Sequence, residues 1–403
     1  MEGNYMLPCL VFFPMVGALA AYGAGRKNKT ARDYMANAIV ILEFAVMLYV
    51  FCMHHMAWQL RENVGNSFGY PSSFRIPGFC GLGIHFAIDG FRVLYGLIAA
   101  FMWMMSTVFS KEYFIHYRNR NRYYFFLLVT LGATMGVFLS SDLYTTFIFF
   151  EIMSFTSYVW VAHDEKAESL RAAETYLAVA VTGGLVMLMG LLLLYRETGT
   201  LEIDRLYEAC RSIMTGFGTE AEAGKRTLYI AGTCMLFGFG AKAGAFPLHI
   251  WLPKAHPVAP APASALLSGI LTKAGIFGIL VISCRIFLYD VKWGTLILFT
   301  GVATMLLGAV LALFSVNLKR TLACSSVSQI GFILVGIGMQ GLLGSENALA
   351  VRGSLLHMVN HSLFKLVLFM AAGVVYMNIH KLDLNEIQGF GLEKPLLHFI
   401  FLM

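Results

Sequence analysis

Eleven apolar runs, each close to the length of helix that crosses a lipid bilayer, follow one another along the 403-residue chain. They cover residues 4–24, 34–56, 90–110, 123–140, 142–162, 172–195, 227–246, 262–283, 293–314, 321–342 and 350–377, and a twelfth opens near Pro395. A hydrocarbon layer of about 30 Å needs about 20 apolar residues of helix. Lipid offers no partner for backbone polar groups, so a spanning segment must be helical or part of a closed barrel, and a barrel would alternate apolar and polar positions. These runs do not alternate. Only 13% of the residues are charged, against 58% hydrophobic, whereas a soluble domain carries about 25% charge. The sequence therefore predicts an all-α polytopic membrane protein, a single bundle without a soluble domain.

Charge and cysteine content exclude other classes. The net charge of +6 comes from basic residues gathered in short loops, four of them in 25–33 and four in 111–122. Topology explains this clustering without a nucleic-acid partner, and it predicts those loops in the cytoplasm and the N-terminus outside, in the inner membrane. The seven cysteines are scattered, with no C-x-x-C pair and no ferredoxin-like run, so no iron–sulfur, haem or zinc site is expected within the chain. Residues 4–24 lack a basic leader and a cleavage motif, and are expected to be a first span. Residues 74–92 alternate and turn as a short hairpin on the outer face, and 200–216 read as an amphipathic surface helix.

Ionisable residues inside the apolar runs carry the functional signal. Glu151 follows eight uncharged residues and precedes twelve more. Lys242 stands in GFGAKAGAFPLHIWLP, where Gly244 and Pro247 break the helix. Lys273 falls about eleven residues into its span, near the bilayer midplane. A charge at the bilayer centre costs about 2.5–3.5 kcal/mol on insertion scales, and such residues mark ion or proton paths. Snorkelling to an interface is the structural alternative, and mid-span positions argue against it. Burial disfavours the charged form of a carboxyl or an amine, while an opposite charge beside it restores that form. Glu151 is thus expected to control whether Lys242 is charged. Interrupted membrane helices also line ion sites.

His357, His361 and Lys365 recur every four residues and so stack on one helix face. Imidazole titrates near neutrality and can pass a proton between its two nitrogens, so this ladder reads as a proton relay. Two histidines so spaced could hold a metal, but no third ligand accompanies them. His249 and His256 flank the break as secondary candidates. Asp142 is expected to cap the helix of Glu151, and Glu43 is a lone buried acid without an assigned partner.

The run FPLHIWLPKAHPVAPAPASALLSGILTKAGIFGI resembles the signature of the antiporter-like membrane subunits of respiratory complex I, energy-converting hydrogenases, formate hydrogenlyases and Mrp cation/proton antiporters. SSDLYTTFIFFEIMSFTSYVWVAH, VNLKRTLACSSVSQIG and HMVNHSLFKLVLFMAAG extend the likeness over roughly residues 70–395. In that family fourteen helices contain two inverted five-helix repeats, each with a broken helix carrying a key ionisable residue. The resemblance implies an N-terminal region 1–122 of helices and hairpin, a first repeat over 123–283, and a second over 293–403 that three further spans would complete. It implies a Glu151–Lys242 ion pair, Lys273 as the connecting lysine, and His357, His361 and Lys365 on a central hydrophilic axis. The implied function is redox-driven proton translocation. The chain would hold no cofactor; iron–sulfur clusters and a flavin or nickel–iron centre would belong to partner subunits in a peripheral arm. The wording AHPVAPAPASALLSG leans towards the hydrogenase or formate hydrogenlyase branch. The alternatives are an Mrp-type Na+/H+ antiporter subunit driven by ion gradients, and a structural subunit whose buried charges are idle.

Overall fold

The computed structural model describes residues 4–64, 73–79, 81–115, 117 and 119–402. Cys80, within the expected hairpin turn, and Arg118, one of the basic loop residues, lie outside them. The chain divides into two compact units, Met1–Val159 and Trp160–Met403.

The first unit contains α1 (Met6–Lys27), α2 (Lys29–Val64), strands β1 (Ser73–Ile76) and β2 (Ile84–Ala87), α3 (Gly90–Tyr113), α4 (Arg120–Leu139) and most of α5 (Leu143–Val161). Helix α1 packs on α4 and α2, and α2 packs on α3. The two strands pair antiparallel with Ser73 opposite Ala87, as the alternation in 74–92 predicted. β2 also bridges from Phe86 to Ser140, just ahead of α5. Beside the 25–33 loop a buried Arg32 gives Asp33 Oδ1 two bonds, of 2.9 and 2.7 Å, and Asn121 Oδ1 a third of 2.5 Å. Those bonds tie the start of α2 to the start of α4 and satisfy a guanidinium that would otherwise be costly to bury.

The second unit contains α6 (Ala167–Thr198), α7 (Ile203–Thr215), α8 (Thr219–Ala243), α9 (Leu252–Val258), α10 (Ala261–Leu266), α11 (Thr272–Val281), α12 (Val291–Leu313), α13 (Leu318–Leu343), α14 (Ala348–Ile379) and α15 (Pro395–Leu402). A π-helical turn, Leu267–Leu271, joins α10 to α11. Helix α7 buries Ile203, Leu206 and Cys210 on one face, the amphipathic surface helix expected at 200–216. The most extensive helix–helix contacts are α12 on α13 and α6 on α8, where glycines such as Gly331 and Gly238 let membrane helices come close. Gly275 in α11 has the same role against α8: a Cβ there would stand 2.7 Å from Ala243 N.

Among the described residues, ten helices are long and apolar enough to cross a membrane. The segment expected as a fifth span is helix α5, 19 residues long and outside those ten. The polytopic membrane class stands.

Candidate functional site

Helix α8 ends where its sequence can no longer sustain it. Gly244 takes a left-handed conformation, φ 79°, which costs glycine little, and a Cβ there would also collide with Leu252 Cδ1. The chain returns to helix as a 3-10 turn, Leu248–Trp251, that runs into α9. The freed backbone groups find partners nearby. Gly240 O accepts from Gly244 N and Ala245 N, both at 2.9 Å. Thr304 Oγ1 takes Phe246 N at 2.9 Å, and Trp251 Nε1 donates to Ala241 O at 2.7 Å.

Lys242 lies in the last turn of α8, 4% exposed. Its Nζ donates to Tyr176 Oη at 2.6 Å, and the Tyr176 ring packs edge-on against Trp251 at 4.8 Å. Tyr176 was not among the residues expected from sequence, since nothing in its apolar run marks it. A hydrogen bond to a charged group contributes about 1.5–3 kcal/mol. We therefore expect Tyr176→Phe to assemble normally yet slow ion translocation about tenfold, the equivalent of about 1.4 kcal/mol. The initial rate of gradient formation in vesicles, at matched turnover, measures this.

Lys273 is fully buried at the start of α11. The π-turn aims the Ser268 carbonyl at this point, where it accepts from Thr272 Oγ1 at 2.8 Å and Lys273 Nζ at 3.0 Å. Such turns concentrate at functional sites. The Lys273 amine also lies 2.8 Å from His361 Nδ1 on α14, a contact across 88 residues of sequence. The His361 ring stacks on His357, 6.4 Å away and 11° from parallel. One turn on, Lys365 donates to Leu322 O at 2.9 Å and to Ser325 Oγ. The ladder and Lys273 thus form one continuous cluster of two amines and two imidazoles.

The secondary candidates fall elsewhere. His249 lies in the 3-10 turn, its ring 6.3 Å from Phe246 and its Nδ1 without a partner among the described residues. His256 is in α9 with both nitrogens unpartnered among the described residues. In the first unit, Asp142 caps α5, accepting from Thr145 N at 2.7 Å and Thr145 Oγ1 at 2.6 Å. Glu151 is half-buried midway along α5. Glu43 lies on the buried face of α2 with Val40 and Met47. Glu151 belongs to the first unit and Lys242 to the second. Among the described residues no three His, Cys, Asp or Glu side chains stand together as a metal site.

Apolar helices with amines and imidazoles clustered in the interior of the second unit define a polytopic membrane protein with buried titratable groups. The chain belongs to the NADH:quinone oxidoreductase/Mrp antiporter transmembrane family, whose model matches residues 140–403. It is 31% identical over 318 residues to hydrogenase-4 component B of Escherichia coli K12, which covers 76% of this chain and 46% of that protein. It is 30% identical over 400 residues to NAD(P)H-quinone oxidoreductase chain 4 2 of Trichodesmium erythraeum, covering 98% of this chain and 66% of the relative. The chain thus spans about half to two thirds of the length of these relatives. The fold matches a chain of the archaeal membrane-bound sulfane sulfur reductase with a TM-score of 0.82 at 21% identity, covering 98% of this chain and 76% of that one.

Proposed function

We propose that the chain is a proton-translocating, antiporter-like membrane subunit of a redox-driven complex, of the NADH:quinone oxidoreductase or membrane-bound hydrogenase/formate hydrogenlyase kind. The observation that carries this reading is the 2.8 Å contact between Lys273 and His361, which makes the ladder of His357, His361 and Lys365 continuous with a second helix. The names of the relatives support it.

On this reading the chain takes part in an oxidoreductase only as a subunit. Iron–sulfur clusters and a flavin or nickel–iron centre sit in a peripheral arm, and other membrane subunits flank the chain in the inner membrane, with its N-terminus outside. Residues 123–283 and 293–403 are the two antiporter repeats, and the break at Gly244 and Pro247 is the first of the family's broken helices. An electron-transfer event in the arm shifts charge along the membrane. That shift opens or closes the Glu151–Lys242 pair, the change in Lys242 is felt at Lys273, and the coupled amines and imidazoles exchange a proton. Carrying one charge against 100 mV requires about 2.3 kcal/mol.

The complex, purified with its co-migrating subunits and reconstituted in vesicles with a pH-sensitive dye, tests the proposal. Electron donor and acceptor are expected to generate a pH gradient that a protonophore collapses. A gradient produced by an imposed Na+ step, with no response to electron donors, would instead make the chain an Mrp-type antiporter subunit.

A further inference from the structure

Helix α8 carries a second stripe, apart from Lys242 and its partners. Arg226, Tyr229, Ile230, Thr233, Phe237 and Gly240 recur at steps of three and four residues and so share one face. Where that face begins, a cleft of about 830 Å³ opens between α8, the end of α7 and the start of α12. Ligand pockets fall in the same range, about 300–1,000 Å³. Nearer the break, a narrower cleft of about 160 Å³ lies among Leu236, Phe237, Phe246, Pro247, Ile297 and Leu334. Thr233 lines both, so the two clefts meet along α8.

The wide cleft sits where polar sequence gives way to apolar. Lys225 and Arg226 immediately precede the apolar run at 227, and Lys292 precedes the one at 293. Tyr229 and Trp293 follow, the aromatic residues that favour the depth of lipid headgroups. From Arg226 to Gly240 the helix climbs about 21 Å, more than half of a hydrocarbon layer of about 30 Å. The groove is therefore long enough for a headgroup and one leaflet's acyl chain.

Three cations face two carboxylates in the wide cleft. Glu222 accepts from Lys225 Nζ at 2.8 Å, and Lys292 also acts on it. Asp290 is taken up in building the wall: its Oδ2 accepts from Tyr229 Oη and its Oδ1 from Trp293 N, both at 2.7 Å. Arg226 is exposed and makes no ion pair among the described residues. One cation is thus left over, and it is the guanidinium, whose planar fork matches phosphate oxygens.

We propose that this groove holds one anionic phospholipid, with its phosphodiester on Arg226, Lys225 and Lys292 and one acyl chain laid along α8 to the break at Phe246 and Pro247. The proposal is independent of the proton path. A free phosphate would use the cations and leave the apolar cleft unfilled. A zwitterionic lipid would fill the cleft and gain nothing from the extra cation.

Photolabelling of the intact complex tests the proposal. The complex is reconstituted in phosphatidylcholine vesicles that carry a trace of either phosphatidylglycerol or phosphatidylcholine with a diazirine near the end of one acyl chain. After illumination, peptide mapping reads the label in residues 233–248 relative to the label over the whole chain. Phosphatidylglycerol is expected to exceed phosphatidylcholine by at least about fivefold, the contribution of one uncompensated cation at a membrane surface. Combining Lys225→Gln, Arg226→Gln and Lys292→Gln is expected to erase the excess in a complex that still assembles, since surface substitutions cost little stability. Equal labelling by the two lipids overturns the proposal and makes the groove ordinary lipid boundary. So does an excess that survives the triple substitution. Loss of the excess on adding millimolar inorganic phosphate at constant ionic strength would make it a phosphate site instead. No label from either lipid would mean that another subunit covers the groove, which also overturns the assignment.

Discussion

Lys273→Met is expected to lower proton translocation by about 10²–10⁴-fold, the contribution of a positioned proton-transfer group, while the complex still assembles. The amine of Lys273 reaches Ser268 O at 3.0 Å and His361 Nδ1 at 2.8 Å. Methionine fills similar volume and adds no polar atom, so packing in a fully enclosed position is kept. What is lost is the link between α11 and α14. The His361 Nε2 already has no hydrogen-bond partner among the described residues, so the variant leaves both imidazole nitrogens without a protein partner. An unsatisfied buried group costs about 1–3 kcal/mol, a stability loss that a thermal shift of the purified complex would register. Lys273→Arg is the sharper probe. It restores charge and donors but cannot release a proton, so it too should fail to translocate. The quantity to measure is protons moved per electron transferred. A methionine variant within about twofold of the parent would remove Lys273 from the path, since even a modest relay exceeds that margin.

The sequence exposed these residues because lipid makes charge conspicuous. Glu151, Lys242, Lys273 and Lys365 stand out against apolar runs, and the break at Gly244 and Pro247 is visible as glycine and proline where helix should continue. The hairpin at 73–87 was legible by alternation, and α7 by its apolar stripe. What stayed hidden is what pairs residues far apart. His361 and Lys273 are separated by 88 positions, and periodicity along one helix cannot say which neighbour its face meets. Tyr176 is an ordinary aromatic in a membrane helix until Lys242 is seen to donate to its hydroxyl. Lys319 reads as a loop cation at the edge of a span, yet it is buried and bonded to the end of α9. The π-turn at Leu267–Leu271 leaves no mark in composition, because it changes which carbonyl is free without changing which residues are apolar.

The proposed Glu151–Lys242 pair gives the second large effect, and a double-mutant cycle is its test. Glu151→Gln alone keeps shape and removes the carboxylate charge, so a partnered Lys242 would lose the group that stabilises its ammonium. Lys242→Met alone would strand the carboxylate in turn. Breaking a buried pair from one side costs about 3–5 kcal/mol, because an uncompensated charge remains, whereas removing both partners is much milder. Each single variant is therefore expected to suppress translocation by at least about a hundredfold, equivalent to about 2.7 kcal/mol. The double variant should be no worse than either alone and should unfold later than both. The coupling energy extracted from the four rates and the four melting curves would then exceed about 0.5 kcal/mol, the range within which distant sites simply add. Additivity within that range would mean that Glu151 and Lys242 act separately. The switch would then have to be sought at Lys242 and Tyr176, whose 2.6 Å hydrogen bond lies wholly within the second unit.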